Sequence, residues 1–202
     1  MKLKLSFGIF LAGLIITIAA SNFISVGERL DDLRGSVLRI HILANSDSRE
    51  DQQLKLYVRD TLLKHSYELF GNCETLDGAV ADAGKNLGKA CEIAENAVRC
   101  KGYNYKVNAE ITDMYFTERT YGKITMPAGK YKALRITIGE AKGHNWWCVM
   151  YPPLCIPAAS EVNSDEDAEK IFFTPQQQDI MNNPQKYKVR FMIWDKIKGN
   201  TE

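Results

Sequence analysis

Three histidines and five cysteines are the side chains of this sequence best suited to chemistry: His41, His65 and His144, with Cys73, Cys91, Cys100, Cys148 and Cys155. A nucleophile needs a base within hydrogen-bond reach. His144 stands four residues before Cys148, so a secreted hydrolase using His144 with a nearby Cys or acid is one reading. Against it, Cys148 and Cys155 are separated by six residues, a span that a disulfide can close in an oxidising compartment. A bridged sulfur is not a nucleophile. Cys148 and Cys155 are therefore the candidate disulfide, although five cysteines leave one over and spacing alone leaves the connectivity open. Cys91 falls on the apolar face of a predicted helix and reads as a buried free thiol. His65 reads as a core or boundary residue. His41 shares a strand face with Arg39 and is expected to be exposed or hydrogen-bonded.

The compact catalytic signatures are missing: the 202 residues contain no HExxH, GxSxG or GxxxxGK[ST] pattern. Residues 45–51 join an expected strand to an expected helix, a geometry that can hold phosphate. Asp47, Glu50 and Asp51 would repel an anion there and serve better as caps. The loop Gly139-Glu140-Ala141-Lys142-Gly143 is followed by no helix signal that would supply a dipole. Zinc ligands usually pair two to four residues apart, unlike Cys148 and Cys155. The acidic run 165–167 lacks the glycine and terminal glutamate of a calcium loop. The expectation is a protein with no catalytic residues, no metal and no cofactor.

The elements that must position these residues begin with a leader. Lys2 and Lys4 precede an apolar run over 5–20, followed by small residues Ala19, Ala20 and Ser21. That is the pattern of an export signal with cleavage after Ser21. The run falls short of the ~20 residues of a membrane-spanning helix, and an uncleaved anchor is the alternative. Either puts the domain outside the cytoplasm. Residues 22–36 read as a linker and 37–202 as one globular domain, which suits a chain that is 45% apolar and 25% charged. The formal net charge is +1, and −1 without Lys2 and Lys4. Bulk charge therefore argues against nucleic acid or an anionic membrane as partner.

Residues 37–44 read as a strand ending in the caps Asn45-Ser46-Asp47-Ser48. A helix over 49–70 carries two apolar stripes, as expected of a helix held between a sheet and a second helix. That second helix spans 76–99, with a stripe rich in small residues that lets helix axes approach closely. The period then changes from 3.6 to 2. Tyr105, Val107, Ala109 and Ile111 alternate with polar residues, as do Leu134, Ile136 and Ile138. Tyr187, Val189, Phe191 and Ile193 alternate too and predict a late strand. Residues 163–173 read as a short helix and 175–184 as a loop. The fold class is α/β or α+β: a mixed β-sheet with two main helices packed on it, in a single domain.

Two segments stand out. In His41 to Asp60, HILANSDSREDQQLKLYVRD, Asp51, Lys55 and Arg59 share one helix flank, which reads as solvated charge. In Gly143 to Cys155, GHNWWCVMYPPLC, the adjacent tryptophans point to opposite faces of a strand. One is expected in the core and the other exposed, where Trp, Tyr and Pro make a hot-spot surface.

These segments, with the export signal and the run MPAGKYKALRITIGEAKGHNWWCVMYPPLC at Met126 to Cys155, resemble the stage II sporulation protein R family. The resemblance covers most of the chain from Leu38 to Leu154. It implies an intercellular signalling protein of endospore formation, made in the forespore and secreted into the space between forespore and mother cell. There such proteins trigger a membrane-embedded aspartic protease that processes the sigma factor E precursor. The resemblance makes Asn45, Asp47, Asp51, Lys55, Arg59, Trp146, Trp147, Pro152 and Pro153 the candidate partner-binding residues. It implies a ligand rather than an enzyme.

Overall fold

The computed structural model describes residues 2–70, 75–121, 124–151 and 173–199. A long helix α1 (Lys2–Arg34) leads into strand β1 (Leu38–Leu43). Helices α2 (Arg49–Lys64), α3 (Ser66–Phe70), α4 (Leu76–Lys85) and α5 (Leu87–Cys100) follow. Strands β2 (Val107–Phe116), β3 (Arg119–Tyr121), β4 (Ile124–Met126), β5 (Gly129–Ile138) and β6 (Asn145–Tyr151) come next. Helices α6 (Pro175–Asn182) and α7 (Pro184–Lys198) close the described chain.

Four strands form one mixed sheet in the order β2-β5-β1-β6, and β3 pairs with β4 in a separate hairpin. β1 runs parallel to β5 and antiparallel to β6. The mixed sheet with helices packed on it is the expected class. Each long helix of the sequence reading is broken once: at His65, whose N–H caps α2, and at Asn86, between α4 and α5.

Strand alternation sends side chains to two separate cores. Leu38, Ile40, Ile42, Leu134, Ile136 and Ile138 face α2 to α5, meeting Leu54, Val58, Leu62, Ala90, Ala94 and Val98. Val37, Ala133, Tyr131 and Val149 face the other way, toward Val26, Leu30 and Leu33 of α1, Ile180 and Met181 of α6, and Tyr187, Phe191 and Trp194 of α7. The sheet is covered on both sides.

The second covering layer corrects three sequence expectations. Residues 22–34 are the packed end of α1, because Val26, Leu30 and Leu33 fall at i, i+4 and i+7. Residues 175–182 are helical rather than a loop: Thr174 and Gln177 form a capping box with Pro175 just inside. Residues 187–193 are helical rather than a strand, since Tyr187, Phe191 and Trp194 bury one helical stripe. Arg34 locks the layer with two hydrogen bonds to Asp195, at 2.6 and 2.8 Å. Trp194 donates to Asp31 at 3.0 Å and lies on Gly27, where a Cβ would meet its ring at 2.2 Å. The expected helix over 163–173 lies, except for its last residue Phe173, outside the described residues.

This layer also buries Arg39 and His41, which sequence reading placed at an exposed or hydrogen-bonded face. Arg39 is fully buried, its guanidinium 4.1 Å from the Phe116 ring centre and 5.0 Å from that of Tyr131, and it donates to the Tyr121 hydroxyl at 2.7 Å. His41 sits edge-on to Phe116 and Trp147. Burial pushes its imidazole below the ordinary value of 6.5.

Candidate functional site

The β1–α2 junction is built from short polar side chains that satisfy one another and the first helical turn. Ser48 caps α2 by accepting from the Asp51 N–H at 3.1 Å. Asp51 turns back and accepts from Asn45 Nδ2 at 2.8 Å and Ser46 Oγ at 2.6 Å. Gln52 Nε2 donates to the Ser46 carbonyl at 2.9 Å. Burial opposes ionisation of Asp51, but hydrogen bonds with Ser46, Asn45, Tyr105 and Ser48 outweigh it and hold the carboxyl below its usual range.

The glycine-flanked loop after β5 docks onto this junction. Asn45 Oδ1 accepts from the Glu140 N–H at 2.9 Å, and the Gly143 N–H donates to the Ala44 carbonyl at 3.0 Å. Gly139 has φ +59, and a Cβ there would meet Asn45 Oδ1 at 2.2 Å. A Cβ at Gly143 would meet the Ser46 carbonyl oxygen at 2.2 Å. Both glycines are close-approach residues, not a phosphate cradle. Asp47 accepts from the His144 N–H at 2.6 Å and contacts the His144 ring at Nδ1. The His144 N–H chiefly holds the Asp47 carboxyl below its usual range. Lys55 donates to the His144 carbonyl at 2.8 Å and to Gln52 Oε1 at 2.5 Å, while burial lowers its pKa.

The loop delivers the chain into edge strand β6. Ile42 pairs with Trp146 and His41 with Trp147, so the tryptophans point to opposite cores. Both are half-buried, in place of one core and one exposed ring. Each lies under an arginine: Arg59 of α2 is 4.4 Å from the Trp146 ring centre, and Arg119 of β3 is 5.2 Å from that of Trp147. Tyr121 adds a hydrogen bond to the Trp147 carbonyl at 3.2 Å.

The candidate residues therefore divide. Asn45, Asp47, Asp51, Lys55, Arg59, Trp146 and Trp147 belong to one connected unit. Within it Asp51 and Lys55 are buried, a correction to the solvated flank, while Asp47 stays exposed. Pro152, Pro153 and Cys155 lie outside the described residues. Cys148 is buried and disulfide-bonded to a partner outside them, so it offers His144 no thiolate. Cys91 is free and half-buried rather than fully buried, and Cys100 is free and exposed. Sequence reading gave Ser46 only a capping role, Tyr105 only a strand position and the two loop glycines only a rejected phosphate role, and it gave Gln52 and Arg119 none. The glycine pair four residues apart was the visible signal.

A family model for stage II sporulation protein R matches residues 34–161. The chain belongs to this family. A curated relative, the stage II sporulation protein R of Bacillus subtilis (strain 168), is 36% identical over 135 residues, covering 65% of this chain and 60% of the relative. No solved structure matches. Membership supports a role in sporulation. The matched segment contains the junction, the loop and β6, and excludes nearly all of α1 and the whole of α6 and α7. The apolar part of α1 is long enough to cross a membrane and only 6% buried, consistent with a signal sequence or an anchor.

Proposed function

We propose that this chain is an exported signalling protein that activates a membrane-embedded aspartic protease of the mother cell, the enzyme that processes the sigma factor E precursor. The observation carrying the reading is the family match over 34–161, which takes in the whole junction, loop and β6 unit. The apolar N-terminal helix supports passage through, or attachment to, the forespore membrane. The domain then acts in the intermembrane space on the extracytoplasmic part of the protease.

Activation is a population shift: the domain binds the active arrangement of the protease better than the dormant one. Moving such a switch almost completely takes about 5.5 kcal/mol of differential binding, within reach of a standard-sized interface. A surface held in register by internal hydrogen bonds suits this role, because little ordering is left to be done on binding. Asp47, Arg59, Trp146 and Trp147 present the contact, and Pro152 and Pro153 stay candidates on the sequence resemblance alone. Asn45, Asp51 and Lys55 hold it in shape from beneath.

Replacing Trp146 and Trp147 together by Ala, in protein whose circular dichroism is unchanged, should abolish precursor processing. Normal processing by that variant would reject the assignment. The contact between His144 and Asp47 favours one competing reading, an exported hydrolase. A hydrolase would lose its activity in His144→Ala at full expression, whereas a ligand keeps most of its signalling.

A further inference from the structure

The fold leaves one feature unused by the junction and its tryptophans. Helix α7 buries Tyr187, Phe191 and Trp194, yet its opposite side is apolar as well. Val189 is 65% exposed, Met192 66%, Ile193 44% and Ile197 68%. Their spacing, i, i+3, i+4 and i+8, makes a single stripe on the solvent side. Exposed cations accompany it: Lys188 and Arg190 on its two flanks, Lys196 within it, and Lys198 at the helix end over the Trp194 ring. The helix's one acid, Asp195, is consumed by Arg34. Exposed apolar side chains interspersed with cations that no acid of the helix offsets suit contact with an anionic bilayer surface.

The position of α7 adds an independent argument. Through Trp194 and Asp195 it is fixed to Phe23, Gly27, Asp31 and Arg34, the stretch of α1 that directly follows the exposed apolar run. Arg190 shares a groove with Ile15, Ile18, Ala19, Asn22 and Phe23. A long cation beside the end of an apolar helix can keep its stem in an apolar setting and its charge among headgroups. The near-neutral charge of the whole chain hides this local excess.

We propose that the exposed stripe of α7 is a second membrane contact, seating the domain against a bilayer surface that carries anionic headgroups. Four side chains fall well short of the roughly 800 Å² per partner of a stable protein interface. A second copy is further disfavoured, because pairing two such stripes about a twofold axis would bring their cations together. A bilayer demands neither area nor shape, and adds to whatever hold α1 already has. The inference does not depend on the protease reading.

The test uses the full, oxidised chain with Cys91, Cys100 and whichever of Cys73 and Cys155 is not bridged to Cys148 replaced by Ser, reconstituted in vesicles with and without phosphatidylglycerol. An environment-sensitive fluorophore is placed at M192C or, as control, at Y67C on α3, in the layer across the sheet. Both positions are about two-thirds exposed, so labelling leaves the fold intact. Lipids brominated high on the acyl chain should quench the probe at 192 several-fold more than at 67. The difference should need phosphatidylglycerol and should fall in high salt or in a K188E/K196E/K198E variant. Equal quenching at the two positions, or quenching at 192 indifferent to anionic lipid, overturns the proposal.

Discussion

At the C-terminal end of β1, residues 45–55 meet the loop 139–144 through a closed set of short hydrogen bonds centred on Asp51 and Asp47. Across the sheet, Arg39 and His41 of the same strand lie among aromatic rings. Among the described residues neither Arg39 Nε nor Nη1 has a hydrogen-bond partner, and at His41 burial outweighs the hydrogen bond with Asn145. The first region is polar and carries most of the candidate contact residues. The second is held by apolar packing of chain ends more than a hundred residues apart, with the Arg34–Asp195 ion pair joining the same two ends. The difference teaches where change should be costly for folding and where it should be costly for the proposed signalling. It also shows that one strand can serve a polar clamp at its tip and an apolar core along its length.

The largest expected effect breaks the apolar side. Leu30 is fully buried in the segment that sequence reading took as a linker. Leu30→Ala should cost about 3–4 kcal/mol in urea unfolding of the detergent-solubilised chain. A change below about 0.5 kcal/mol, typical of a solvated surface position, would restore the linker reading.

On the polar side, Asp51→Ala should cost about 2–3 kcal/mol, because it strands donors on Asn45 and Ser46. It should also free the loop 139–144, seen as faster amide exchange at Glu140 and His144. Unchanged exchange there would show that Asp51 does not bind the two segments together.

How much of this was legible in the sequence follows the same division. Caps and strands β2 and β5 are written in residues close together in the chain, so the Asn45–Ser48 cluster and the alternations at 105–111 and 134–138 announced them. The second layer is defined by contacts between the two ends. Val26, Leu30 and Leu33 were masked by the longer apolar run before them. In α7, Tyr187 and Phe191 satisfy both a strand's period of 2 and a helix's i, i+4, and only Trp194 at i+7 decides between them. With that layer unrecognised, Arg39 and His41 read as exposed or hydrogen-bonded and a single tryptophan as buried. The buried role of Asp51 and Lys55 was equally hidden, since nothing local says that a loop 90 residues away will cover them.

A pH titration should separate the two regions. His41 has a lowered pKa in the folded state, so the unfolded chain binds its proton first. Stability should begin to fall below about pH 6.5. Asp47 and Asp51 are also lowered, and the stability they contribute is held above the ordinary carboxylate range and lost as pH falls through their folded values. His41→Gln should remove the first phase and leave the second. A variant that keeps the first phase would assign it elsewhere.

The smallest effect sharpens the contrast. Arg39 has no carboxylate partner among the described residues, so Arg39→Met exchanges a desolvated cation for an apolar side chain of similar length. Stability should change by less than about 1 kcal/mol, in either direction. A loss above about 3 kcal/mol would show that the cation holds a charged partner.

The most direct measurement is processing of the sigma factor E precursor in a non-sporulating host that makes the precursor, the membrane protease and this chain, with the chain carried to the outer face of the membrane. The account predicts cleaved sigma factor only when all three are present. Uncleaved precursor beside correctly exported, folded protein would contradict it, as would equal cleavage with this chain left out.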